Sequence, residues 1–297
     1  LVRDCDIVLV GFPGQEMMFL ARFLSRKPLV FDVFTSHYMG YILDRRYFPE
    51  KSWRAAYYRF VDTWSCRLAD CVILDTQAHI DFFVKEFGLP PQKFKRIFLG
   101  ANTELHHPRP QNAVDRFSVV FWGNFIPLQG TEYILRAAKI LEQEPIVFSM
   151  IGHGQMYDQA LTLAQELDLK NVIFTGKISD EELTERIRVA DVCLGAFSAG
   201  IKANITIQNK IFETLASKRA LLTARTTAVQ EFLTDERDVL LCRKADPKDL
   251  AEKILMLKQD LNLRDRIAEA GYQLFWEKLT EEKLGKELIT ILHGLIA

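Results

Sequence analysis

The sequence has little that would staple, metallate or anchor it. Only five of its 297 residues are cysteine. Cys5, Cys66, Cys71, Cys193 and Cys242 are odd in number, scattered, and form no CxxC pair, which argues for reduced thiols in a cytoplasmic setting and against a disulfide frame or a zinc site. No HExxH, no Ser-His-Asp order and no paired His/Cys spacing is present, so a metalloenzyme or a triad hydrolase has no positive support. No window approaches ~18 uncharged apolar residues, which excludes a membrane-spanning helix. Charge of one sign is lacking too: 38 Lys and Arg face 39 Asp and Glu, for a formal net charge of −1. With 48% hydrophobic residues, that balance excludes disorder and a supercharged nucleic-acid binder. Internal repeats and low-complexity tracts are absent. The first residue is Leu1 rather than Met, and the text opens almost inside a strand.

What is present is enough chain for two domains of ~100–200 residues each, with a core that needs no staples. Two blocks alternate strand-like and helix-like text. In the first, short β-branched runs at Asp6–Val10, Pro28–Val33, Cys71–Leu74 and Arg96–Leu99 predict buried parallel strands, with helices over Gln15–Ser25, Ser52–Leu68 and Thr76–Phe87 between them. Gly88 and Pro90 mark the end of the last helix. In the second, strands are predicted at Ser118–Trp122, Ile146–Ile151, Asn171–Phe174, Asp191–Ala196, Ala220–Thr223 and Val239–Cys242, each separated by room for one helix. Six strands with helical crossovers predict a doubly wound α/β domain. The polar, proline-rich stretch Ala101–Asp115 between the blocks reads as a linker.

Charge divides along the same line. Residues 1–112 carry 15 Lys/Arg against 12 Asp/Glu, or +3, and the remainder carries 23 against 27, or −4. The basic residues of the first block gather in Asp44–Trp64, where Arg45, Arg46, Lys51, Arg54 and Arg59 interleave with Tyr47, Phe48, Trp53, Tyr57, Tyr58 and Trp64. Such a block can sit at a lipid headgroup interface or bind an anionic acceptor. It can equally be an amphipathic helix that packs its aromatics inward, the commoner case for a surface helix.

Candidate chemistry gathers where parallel strands end, because that edge of an α/β sheet is where ligands bind. Gly123 and Asn124 follow the strand at Ser118–Trp122, with Gln129 and Gly130 before a helix, so a backbone loop and a helix N-terminus can approach a phosphate. Gly152-His153-Gly154 opens like a dinucleotide fingerprint, but Tyr157 occupies its third glycine position, which leaves an NAD-dependent enzyme little support. Lys210 and Glu213, three apart on a helix whose buried face is Ile211, Phe212 and Leu215, could offer an ammonium to a diphosphate and a carboxylate to a ribose diol. The plain alternative is a surface ion pair worth ~0–1 kcal/mol.

Order along the chain adds to these readings. Ala190-Asp191-Val192-Cys193-Leu194-Gly195, followed by Asn209-Lys210-Ile211-Phe212-Glu213-Thr214-Leu215-Ala216-Ser217-Lys218-Arg219, resembles the donor-binding core of family 4 glycosyltransferases of the GT-B fold. Val119–Ala138 (VVFWGNFIPLQGTEYILRAA) is similar to that family's opening strand, phosphate loop and first helix. Ile151–Gly154 is similar to its IGxG turn, Val172–Ile178 (VIFTGKI) to its base-binding turn, and Ala245–Leu257 to its late helix. Lys27–Asp32, Asp44-Arg45-Arg46, Leu68-Ala69-Asp70 and Leu74-Asp75-Thr76 also find counterparts, so the resemblance covers nearly the whole chain.

The resemblance implies two Rossmann-like α/β domains facing across a cleft. Residues 1–112 would be a partial acceptor-side domain, 113–275 the nucleotide-sugar domain, and 276–297 a C-terminal helix returning to the first. It implies transfer of a sugar, with retention, from a nucleotide diphosphate sugar to a glycan or lipid-linked acceptor in cell-envelope glycan synthesis. No cofactor, metal or nucleic acid is implied. The setting would be cytoplasmic, at the inner face of the membrane if the basic-aromatic block docks on anionic lipid. Asp32 would face the sugar as the catalytic carboxylate. Glu213 would bind the ribose and Lys210 the diphosphate. Gly123 and Asn124 would line the phosphate loop with Gln129; Gly152 and His153 would belong to the donor site, with His153 lining the cleft; and Gly176 and Lys177 would lie beside the base. The leaving diphosphate would be met by basic side chains and helix dipoles.

Departures from the pattern are specific. The first glutamate of the family's Glu-x7-Glu signature falls on Ile205, the phosphate-loop Arg and Lys fall on Asn124 and Gln129, and the histidine partner of Asp32 falls on Phe31. Lys202, Lys210 or a residue of the N-terminal domain would have to supply the missing cations. These departures motivate an alternative, a GT-B-like binding or partner protein with little catalysis. Against the family, an opening strand, glycine-rich loop and helices are expected before Leu1, so the sequence reads as N-terminally truncated.

Overall fold

The computed structural model describes residues 5–108 and 116–296, and the chain divides into two compact units. The expected linker Ala101–Asp115 lies outside the described residues from position 109 onward, as does the expected boundary at 112/113.

One unit comprises Leu1–Leu99, Asn204–Ile207 and Glu282–Ala297. Its sheet is parallel, with β1 (Val8–Val10), β2 (Leu29–Asp32), β3 (Cys71–Leu74) and β4 (Phe94–Arg96) side by side in that order. β3 is buried throughout, as its unbroken apolar text demands of a strand covered on both faces. The helices start at side-chain caps: the Ser52 hydroxyl accepts from the Ala55 N–H (3.2 Å), and the Thr76 hydroxyl from the His79 N–H (3.1 Å). β4 corrects the expected strand at Arg96–Leu99. Phe94 is buried against Phe83 and pairs with Val72, so the strand starts directly after the turn Pro91–Lys93 and leaves the sheet beyond Arg96.

A π-helical segment, Tyr38–Asp44, has no counterpart in the sequence reading. Its start is held by buried Asp62, which accepts from the Ser36 hydroxyl (2.6 Å) and from the N–H groups of His37 (3.0 Å) and Tyr38 (2.8 Å). Burial pushes the Asp62 carboxyl up to about 6 against those three hydrogen bonds. The basic-aromatic helix is Trp53–Leu68, and the reading in which its aromatics all pack inward is corrected: Tyr58 packs on the core, while Trp53, Tyr57, Phe60 and Trp64 are exposed.

The other unit comprises Gly100–Ala203 and Gln208–Glu281. Six parallel strands run in the order β10-β9-β8-β5-β6-β7: β5 (Phe117–Trp122), β6 (Ile146–Ile151), β7 (Val172–Gly176), β8 (Val192–Leu194), β9 (Ala220–Ala224) and β10 (Leu240–Cys242). The chain winds outward from β5 in both directions, so the strand order reverses between β5 and β8, the kind of switch point at whose strand carboxyl ends open α/β sheets bind ligands. Val119, Phe121, Phe148 and Leu194 join one core layer, and Val120, Trp122 and Cys193 the opposite one, as the two-residue period of a strand requires. Burial pushes the Cys193 and Cys242 thiols up to about 12, which makes them inert packing groups.

Candidate functional site

Backbone meets backbone at the ends of β5 and β6. The Gly123 N–H donates to the Ile151 carbonyl (3.0 Å), the Gly152 N–H to the Gly176 carbonyl (2.8 Å), and the Phe125 N–H to the His153 carbonyl (3.0 Å). A Cβ at Gly152 would lie 2.0 Å from the Gly123 carbonyl oxygen, and its φ of +122° is closed to other residues. Gly130 serves the same loop: with φ +63° it turns the chain into the helix Thr131–Ile140, and a Cβ there would meet the Ser198 nitrogen at 2.6 Å. The glycines therefore strip side chains from one edge of the sheet and leave polar backbone beside whatever docks there.

The helix Asn209–Ala216 supplies the charged groups. Lys210 is only 5% exposed; its ammonium donates to the Gln129 amide oxygen (2.8 Å), lies 3.7 Å from the Phe121 ring centroid, and stands 3.5 Å from where a Gly123 Cβ would be. Burial lowers the Lys210 pKa well below the ordinary lysine value, with the Glu213 charge opposing. Glu213 is fixed from the other side, because its Oε2 accepts the Trp122 indole N–H (2.7 Å). Phe121 and Trp122 point to opposite faces of the sheet, so the first turns of this helix engage both faces of the last two residues of β5.

Gly123, Gln129, Gly152, Lys210 and Glu213 are thus brought together, and Gly176 joins them through its carbonyl. Asn124, His153 and Lys177 are exposed at the same strand ends, and His153 stacks on Tyr157 with centroids 4.5 Å apart. Lys202 stands on a separate short helix, Ile201–Ile205. The apolar substitutions of the pattern are core residues: Ile205 packs with Met39 and Ala78, and Phe31 is fully buried in the first unit. Gln129, where a phosphate-loop cation was missing, is the buried acceptor for Lys210.

Sequence reading missed Trp122 and Phe121, which look like ordinary strand residues, although their position just before Gly123 was a usable signal. It also treated His106 as linker. His106 is buried, burial lowers its pKa while Glu213 and Asp180 oppose, and its Nδ1 has no hydrogen-bond partner among the described residues. Among the described residues, no group of three or more His, Cys, Asp or Glu side chains could hold a metal ion.

Asp32 belongs to the first unit, at the end of β2. Its carboxyl is held above the ordinary value by desolvation, with the nearby Asp75 charge adding and the Phe34 backbone N–H opposing.

Residues 116–260 match the family described as Glycosyl transferases group 1. Over 187 residues, 63% of this chain and 50% of the relative, the sequence is 25% identical to an uncharacterized glycosyltransferase of Methanocaldococcus jannaschii. The chain spans about half the length of the curated relatives it matches. Among solved structures, sucrose-phosphate synthase from Thermosynechococcus elongatus gives a TM-score of 0.81 at 16% identity, covering 98% of this chain and 73% of that one. HepE of Anabaena, in complex with UDP and glucose, gives 0.78 at 16% identity, covering 97% and 77%. The chain therefore has the two-sheet α/β fold of the GT-B glycosyltransferases, and its segment 116–260 is similar to the group 1 glycosyl transferases.

Proposed function

We propose that this chain is a glycosyltransferase that moves a sugar, with retention of configuration, from a nucleoside diphosphate sugar to a glycan or lipid-linked acceptor in cell-envelope glycan synthesis. The observation that carries the reading is a buried Lys210 and an anchored Glu213 at the glycine-stripped ends of β5 and β6. Glu213 holds one oxygen against the Trp122 indole N–H and leaves the other to accept from the ribose hydroxyls, an acceptor oriented by the protein rather than by the ligand. Lys210 is desolvated, hydrogen-bonded to a neutral amide and set over an aromatic ring, and the Glu213 charge only partly offsets its burial, so an arriving diphosphate would supply the direct countercharge. As the glycosidic bond breaks, negative charge grows on the leaving diphosphate, and the interaction with Lys210 and the loop N–H groups strengthens in step. No metal ion enters this account. HepE, of the same fold, was solved with UDP and glucose, which makes UDP the first nucleotide to try. Titration with UDP, GDP and ADP should show saturable binding of at least one, weakened tenfold or more by Glu213→Ala; failure of all three at millimolar concentration removes the donor site.

The acceptor side would work at an anionic membrane on the cytoplasmic face. Trp53, Tyr57, Phe60 and Trp64 recur at helical spacing on one exposed stripe, Phe60 stacks on Phe19 of the neighbouring helix Met17–Leu24, and Phe23 there is 85% exposed. Arg54 lies over Trp53 and Arg67 over Trp64, which pairs aromatic rings with cations as a headgroup interface requires. Among the described residues no helix is long and apolar enough to cross a membrane. Co-sedimentation with anionic vesicles should fall when Trp53 and Phe60 are replaced by Ala and again when Arg54 is neutralised; unchanged sedimentation rejects the docking.

A further inference from the structure

The first unit contains a pocket of about 270 Å³ at the carboxyl ends of its strands, room for about nine waters at ~30 Å³ each. Its walls are apolar, including Leu9, Phe34, Ile97, Phe98 and Leu288, and its charged lining groups are Asp32 and Asp75. Among the described residues no Lys, Arg or His lines it; the nearby Arg96 guanidinium is turned onto the Phe98 ring, 4.2 Å from the centroid. Ionised carboxylates only accept hydrogen bonds, so the pocket offers acceptors and apolar surface and nothing that would receive an anion.

The two carboxylates differ in how they are held. Asp75 is buried, its Oδ1 is 2.7 Å from the His79 Nδ1, and its Oδ2 receives the Ile207 N–H at 3.4 Å. His79 is itself fully buried, and its Nε2 has no hydrogen-bond partner among the described residues, so Asp75 is the group its ring serves. Asp32 is exposed and accepts from the Phe34 backbone, where a φ of +55° turns the chain away from β2. Two like charges beside apolar walls are each relieved by a ligand that donates, and each opposed to one that brings a further negative charge.

We propose that this pocket binds an uncharged, hydroxyl-bearing head group on an apolar body, the chemistry of a glycoside with a lipid-like aglycone, and rejects phosphorylated heads. Its naming as an acceptor site rests on the transferase reading, but its binding chemistry does not. Hydroxyls of the head donate to Asp32 and Asp75, and the aglycone covers the Leu and Phe walls.

The test uses the full chain with octyl β-D-glucoside below its micellar concentration and octyl phosphate as the anionic counterpart, each followed by ligand-observed NMR. Glucoside should bind saturably and octyl phosphate at least tenfold more weakly. Gly285 lines the pocket and a Cβ there meets nothing within 4 Å, so Gly285→Leu should fill the space without disturbing the fold and abolish glucoside binding. Asp32→Asn should narrow the preference for glucoside over octyl phosphate at least threefold. Equal binding of the two ligands, no glucoside binding, or glucoside binding untouched by Gly285→Leu overturns the proposal. UDP binding followed in the same samples separates the two readings: its loss alone removes the donor site and leaves the pocket, and loss of glucoside binding alone does the reverse.

Discussion

Two strands of the six-stranded sheet, β5 and β6, run into glycine where two strands of the four-stranded sheet, β2 and β3, run into carboxylate. Gly123 follows β5 and Gly152 follows β6, whereas Asp32 closes β2 and Asp75 follows β3. Both sheets are parallel. On the proposed reading, the edge stripped of side chains and given one buried ammonium takes a diphosphate, and the edge given two carboxylates and apolar walls takes hydroxyl groups. The chemistry of each site would then be decided by a few residues at the strand ends, while the strands themselves stay interchangeable in kind.

The comparison breaks most directly at its glycines. Gly152→Ala forces a Cβ against the Gly123 carbonyl at 2.0 Å and should cost about 4 kcal/mol in denaturant unfolding, with loss of nucleotide binding. Gly11 follows β1 in the other sheet and a Cβ there meets nothing within 4 Å, so Gly11→Ala should stay within about 0.5 kcal/mol of the parent. Similar costs at the two positions would erase the distinction between the edges.

A smaller effect of opposite sign is expected at Lys210. Burial holds its folded pKa below the unfolded one, so the cost of the ammonium to stability is full at pH values below the folded pKa and falls away as pH rises from the folded toward the unfolded value. Lys210→Met keeps the length of the side chain without the charge and should raise stability at neutral pH by about 1 kcal/mol while nucleotide binding falls at least tenfold. A destabilised variant that still binds nucleotide would mean that the cation serves the fold and not the ligand.

Much of this was legible in the text. Unbroken apolar runs such as Cys71–Leu74 and Ile146–Ile151 can only be buried strands, and the three-residue spacing of Lys210 and Glu213 put both on the opening turns of one helix. The burial of Lys210 was not legible, because it depends on Gln129 and Phe121, 81 and 89 residues away in sequence. The Trp53–Leu68 helix carries aromatics on two sides, so periodicity alone could not say which would face the core. The π-helical turn Tyr38–Asp44 takes its cap from Asp62, beyond the reach of any local signal. The shift of β4 to Phe94 came from an aromatic contact that a hydrophobic run does not encode.

The most direct test is calorimetric titration of UDP, then GDP and ADP, in buffers of different ionisation enthalpy. A diphosphate that supplies the countercharge of Lys210 raises that lysine's pKa on binding, so complex formation should take up protons and affinity should fall as pH is raised toward the ordinary lysine range. The account predicts saturable binding in the parent with proton uptake that appears as the titration is repeated at pH values rising toward the ordinary lysine range, and neither in Lys210→Met. Saturable binding without proton uptake at any pH of that series, or no binding of any of the three nucleotides at millimolar concentration, contradicts it.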